Sequence, residues 1–182
     1  MNVANLLTGC RILLIPFFIG LLIYEEHLWA ASVFCLAGIT DVLDGMAARR
    51  SSHKSRLGSF LDPVADKLLA VSSFVTLSIH GPIPVWLVLI VISRDIMISL
   101  GSLIIYLSEG SLEVVPSPLG KLTTFLQFTT ILGTIFYQMS GKGHFFWQTA
   151  LVLTAAATFI SGLQYLYRGL VARSGSSSGG SE

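Results

Sequence analysis

The chain has 182 residues, enough for one domain, and is 53% hydrophobic and 12% charged, about half the charged share of an average soluble domain. A net charge of +1 with no basic stripe argues against nucleic acid as a partner. A mean hydropathy of +0.76, carried in long apolar runs, excludes a small water-soluble core.

A bilayer core is crossed by about 20 mainly apolar residues in a helix. Six stretches qualify in chain order: Leu7–Tyr24, Leu28–Ala48, Gly58–Ile79, Ile83–Leu107, Leu119–Met139 and Phe145–Tyr167. The breaks between them carry polar or turn chemistry: Glu25-Glu26-His27, Arg49 to Leu57, Gly81-Pro82, Ser108 to Pro118, and Ser140 to His144. Trp29, Trp86, Trp147, Tyr24, Tyr137 and Tyr167 fall near span ends, where an aromatic belt places them. Backbone amides in lipid must be bonded internally, so the expected fold is an all-α integral membrane bundle of six transmembrane helices. The first run shows no cleavage site and reads as a retained span. Cys10 and Cys35 lie in apolar runs without CxxC or zinc spacing and read as unpaired thiols.

Six spans put both termini on one side. Arg49, Arg50, Lys54 and Arg56 share one short loop on that side, with Lys121, Arg168 and Arg173 near other span ends; Lys142 stands opposite. The positive-inside rule therefore places both termini and the 49–57 loop in the cytoplasm, for a protein of the inner or cell membrane. The membrane domain is expected over residues 1–173. Residues 174–182, rich in Ser and Gly, read as a disordered tail.

Charge is costly at membrane depth, by several kcal/mol on insertion scales. Of the ten acidic residues, Asp41, Asp44, Asp62, Asp66 and Asp95 nevertheless fall inside predicted spans. Asp41 and Asp44 are i,i+3, and Asp62 and Asp66 are i,i+4, so each pair projects from one helix face. The two helices are antiparallel across a short cytoplasmic loop, which brings all four carboxylates to one depth. Like charges that close are tolerated when protons or cations neutralise them. Hard oxygen donors suit Mg²⁺, Mn²⁺ or Ca²⁺, and the pattern contains no Cys or His to suggest zinc. Gly45, Ala47 and Ala48 leave a bare helix face for a ligand, although a glycine there also suits helix packing. Arg49 stands a turn beyond the acids, placed for a diphosphate. Arg50, His53 and Lys54 read as a topology signal, and Lys67 as a snorkelling or paired lysine.

Residues 41–66 run Asp41-x-x-Asp44-Gly45-x-x-Ala48-Arg49, then eight residues, then Gly58-x-x-x-Asp62-x-x-x-Asp66. This resembles the signature of the CDP-alcohol phosphatidyltransferase family at every defined position. Asn5-Leu6-Leu7-Thr8 with Arg11 is similar to that family's N-terminal stretch, and Ser161-Gly162-Leu163-Gln164-Tyr165 to its last helix. The resemblance implies a six-helix enzyme, usually a homodimer, that takes CDP-diacylglycerol and an alcohol and releases CMP. It implies two divalent ions, Mg²⁺ or Mn²⁺, held by Asp41, Asp44, Asp62 and Asp66, with Asp66 also the catalytic base. It further implies a nucleotide and diphosphate site at Asp41, Gly45, Ala48, Arg49 and Gly58.

The compact chain, the Asn5…Arg11…Pro16 opening and Gly120-Lys121 are similar to the branch whose acceptor is glycerol 3-phosphate. Arg94 and Lys121 are the cations available for such an anion. Ile92-Ser93-Arg94-Asp95 and Ile83-Pro84-Val85 are more similar to the branch whose acceptor is phosphatidylglycerol, and Arg94 also has a structural reading, as a partner of Asp95. Two other classes place acids at depth. A membrane prenyltransferase would carry more spans and an Asn-Asp first motif. A cation transporter would carry pathway residues in both halves. Release of CMP from CDP-diacylglycerol separates the phosphatidyltransferase reading from these two classes.

Overall fold

The computed structural model describes the backbone of residues 3–50, 56–109 and 118–176, and the side chains of 9–40, 64–101 and 118–167. Its elements are six helices: α1 Val3–Ile23, α2 His27–Arg50, α3 Arg56–Ile79, α4 Val85–Glu109, α5 Pro118–Ser140 and α6 His144–Ser176. One helix follows each apolar run, as expected.

The ends differ by a few residues, for local reasons. Glu25 adopts a left-handed backbone at φ 60°. Its N–H donates to Leu22 O (3.2 Å) and that of Glu26 to Leu21 O (2.9 Å). This paired closure satisfies the last carbonyls and stops α1 at Ile23. Ile83 precedes Pro84, which disfavours helical backbone at Ile83. The fourth helix therefore starts at Val85, with Leu87 N donating to Pro84 O at 3.0 Å. Gly141 (φ 61°) and Gly143 (φ 82°) make the α5–α6 turn, where L side chains would be strained. The last helix runs to Ser176, three residues into the expected tail. Residues 177–182 lie outside those described.

The helices close into a ring. α1 packs on α2 and α3, α2 on α5, α5 on α6, α6 on α4 and α4 on α3, while α3 also reaches α5 across the middle. Phe18, Phe34, Phe74, Leu87, Val91, Ile131 and Ile135 fill the interior. Phe34 stacks on Phe128 with ring centroids 4.4 Å apart. A Cβ at Gly38 would stand 2.5 Å from Phe128 Cζ, so this glycine admits the ring between α2 and α5. Likewise a Cβ at Gly101 would collide with the Tyr165 hydroxyl, which sets how closely α4 approaches α6.

Polarity is distributed against the pattern of a soluble protein. Arg11, Asp95, Thr123, Gln127, Thr130, Thr134, Thr154, Thr158 and Ser161 are buried, whereas Leu13, Phe17, Trp29, Leu36, Phe125, Phe136, Phe159 and Ile160 are exposed. Thr123, Gln127, Thr130 and Thr134 recur at helical spacing and line α5 where it meets α6. Thr130 Oγ1 and Thr154 Oγ1 are 2.7 Å apart, Thr123 Oγ1 donates to Ala157 O (3.2 Å), and Trp147 Nε1 donates to Thr134 Oγ1 (3.1 Å). Several of these hydroxyls also bond back to their own helix: Thr123 Oγ1 to Leu119 O and Thr134 Oγ1 to Thr130 O. Among the described residues one helix segment, His144–Tyr167, is long and apolar enough to cross a membrane; Gly9–Ile23 and His27–Thr40 are shorter apolar stretches.

Candidate active site

Asp41, Asp44, Gly45, Ala48 and Arg49 lie on the helical backbone of α2, and Gly58 and Asp62 on that of α3. Their side chains lie outside those described. Both helices are continuous through the pattern, so the i,i+3 and i,i+4 spacings do place each acid pair on one helix face.

Asp66 is the carboxylate of the four whose side chain is described. Its Oδ1 accepts from Arg11 Nη1 of α1 at 2.6 Å. The two ends of the pair differ in exposure, with the Arg11 side chain 1% exposed and that of Asp66 42%. A separation this short belongs to charge-assisted hydrogen bonds, and it joins residues 55 apart in sequence. The sequence had offered Arg11 only as part of a family-like opening. The signal that marks it is its isolation, since it is the one charged residue of α1, Val3–Ile23.

The donor set fits a hard divalent cation. It consists of carboxylates on shared helix faces, and the one described keeps its carboxylate accessible. Among the described residues no group of three or more His, Cys, Asp or Glu gathers as a metal site.

At Lys67, the residue after Asp66 on α3, a second polar cluster joins α3, α4 and α6. Arg94 Nη1 donates to Asp95 Oδ1 (2.8 Å), and Arg94 Nη2 to Ser161 Oγ of α6 (3.1 Å). Asp95 is buried and the Arg94 side chain is only 11% exposed. Lys67 Nζ donates to the Ser99 hydroxyl and to Asp95 O (3.3 Å), and Ser99 Oγ donates to Asp95 O at 2.7 Å. Lys67 is thus tied to α4 rather than snorkelling. Arg94 is engaged by both Asp95 and Ser161, while its Nε is buried without a partner among the described residues. Lys121 lies exposed in the first turn of α5, and among the described residues no hydrogen bond or ion pair joins it to Arg94.

The sequence model described as CDP-alcohol phosphatidyltransferase matches residues 1–161. The chain belongs to this family. It is therefore related to transferases associated with membranes. A probable phosphatidylglycerophosphate synthase of Mycobacterium tuberculosis is 35% identical over 179 residues, covering 93% of this chain and 82% of the relative. A CDP-diacylglycerol–glycerol-3-phosphate 3-phosphatidyltransferase of Escherichia coli is 36% identical over 178 residues, covering 91% and 93%. A probable CMP-forming cardiolipin synthase of Drosophila melanogaster is 35% identical over 147 residues, covering 72% of this chain and 46% of that protein.

Proposed function

We propose that the chain transfers the phosphatidyl group of CDP-diacylglycerol to glycerol 3-phosphate, giving phosphatidylglycerophosphate and CMP. The observation that carries the reading is the pair of acid-bearing helix faces on α2 and α3, ending in the accessible carboxylate of Asp66. The two relatives with well-covered lengths, named for this product and this reaction, support the acceptor.

Six membrane-spanning helices in a homodimer, with both termini and the acids facing the cytoplasm, complete the proposal. Exposed apolar side chains around a ring with buried threonines support insertion, since soluble monomers rarely expose wide apolar patches. Two Mg²⁺ or Mn²⁺ ions held by Asp41, Asp44, Asp62 and Asp66 would, when bound, neutralise the diphosphate and make CMP a better leaving group. Arg49 meets the diphosphate, and Gly45, Ala48 and Gly58 leave room for the nucleotide. Asp66 accepts the proton of the acceptor hydroxyl as its oxygen bonds to the phosphatidyl phosphorus and the bond to CMP breaks. Arg94 and Lys121 hold the acceptor's phosphate.

A second reading, phosphatidylglycerol as acceptor with cardiolipin as product, is favoured by the Drosophila relative. Product analysis of purified protein with labelled CDP-diacylglycerol and Mg²⁺ or Mn²⁺ decides between them. Glycerol 3-phosphate and phosphatidylglycerol are offered separately, and phosphatidylglycerophosphate with CMP is expected from the first alone. Absence of CMP with either alcohol would sink the reaction class.

Arg94→Lys keeps the charge but loses the planar fork. The expected result is an acceptor KM raised about tenfold, equivalent to about 1.4 kcal/mol, with the KM for CDP-diacylglycerol within about twofold of wild type. An unchanged acceptor KM in the folded variant makes Arg94 a tie between α4 and α6.

A further inference from the structure

We propose that Arg11 is a positioning residue for the transfer reaction, its buried guanidinium fixing the direction in which Asp66 presents its carboxylate. This rests on Asp66 as the proton acceptor. Among the described residues Arg11 is one of the largest fully enclosed side chains, on a helix with no other charged residue. A cation at that depth costs several kcal/mol unless it is paired. Its position is unneeded for α1 to form or to cross lipid, so the pairing is what accounts for it.

The asymmetry of the pair indicates what the pairing does. Here the cation is 1% exposed and the carboxylate 42%. The guanidinium is thus immobilised by packing, while the carboxylate it holds at 2.6 Å remains open. Rotation about the two side-chain torsions of an aspartate moves its oxygens by more than an ångström. A fixed donor on Oδ1 removes that freedom. Reactive geometry is sensitive at this scale, where a 1 Å misplacement costs about 100-fold in rate. Arginine suits the task better than lysine because its planar fork fixes direction as well as charge. α1 packs on both α2 and α3, the helices that bear the acid pairs, so a residue on α1 is well placed to align them.

The test uses the full chain purified in detergent, as Arg11→Lys and Arg11→Met. Four quantities are measured: thermal midpoint, kcat, KM for each substrate, and Mn²⁺ binding followed by electron paramagnetic resonance in the presence of CDP. Arg11→Lys is expected to fold with a midpoint near wild type and to lose kcat about 100-fold. The KM for CDP-diacylglycerol should stay within about twofold, and the Mn²⁺ spectrum should broaden or shift. Arg11→Met should lose at least as much kcat as Arg11→Lys; if it fails to fold, Arg11→Lys alone decides. Wild-type kcat and an unaltered Mn²⁺ spectrum in folded Arg11→Lys overturn the proposal, as does a loss of thermal midpoint with kcat retained. Failure of the underlying reading is separable. An active Asp66→Asn protein refutes the base, whereas an inactive Asp66→Asn beside a fully active Arg11→Lys refutes positioning alone.

Discussion

Asp66→Asn is expected to lower kcat by about 10³-fold or more while leaving CDP-diacylglycerol binding within a few-fold of wild type. Asparagine keeps the shape and accepts Arg11's hydrogen bond through its carbonyl oxygen, so the α1–α3 contact survives in weaker form. What it loses is the capacity to take a proton. General-base catalysis contributes about 10²–10⁴-fold, and loss of one carboxylate ligand adds to it. Steady-state kinetics on CMP release, with nucleotide binding measured in parallel by calorimetry, checks both halves. Turnover within about tenfold of wild type would remove Asp66 from the base role and leave it as a ligand.

Chelation is expected to have an effect of similar size. Removing divalent ions should abolish CMP release, and adding Mg²⁺ or Mn²⁺ back should restore it. In the proposed site four carboxylates repel one another without counter-charge, and the diphosphate adds further negative charge. Stabilisation of the leaving group by several kcal/mol corresponds to at least about 10²-fold in rate. The same experiment on Asp41→Asn should show a raised metal concentration for half-maximal rate. Full activity in a strong chelator, with total metal verified as absent, would overturn the metal assignment.

Much of this was legible in the chain because long apolar runs broken by polar residues follow simple rules. Runs such as Phe145–Tyr167, bounded by Gly and polar residues, gave the helices; the errors were local, at Glu25 and Pro84, where left-handed backbone and proline geometry decide the ends. The acid pairs stood out because charge at depth is expensive and helical spacing is regular. Arg11–Asp66 could not be read the same way, since the contact joins residues 55 apart and depends on how α1 packs on α3. Lys67 illustrates the limit of residue-by-residue reasoning. Alone it suits snorkelling, yet Ser99 and the Asp95 carbonyl on a facing helix offered it partners inside. For Arg94 the neighbour in sequence was half the answer, and Ser161 on α6 supplied the rest.

The threonines between α5 and α6 bear on how such a chain is assembled. Thr123 and Thr134 satisfy their hydroxyl protons on carbonyls of their own helix. These two hydroxyls therefore need no partner on α6 for their protons, and their oxygens remain able to accept bonds from a neighbour. Trp147 reaching Thr134 is such a bond. At Thr134, association of α5 with α6 needs no rupture of the bond already made within α5. At this position the contact between α5 and α6 can part and re-form while the bond within α5 persists.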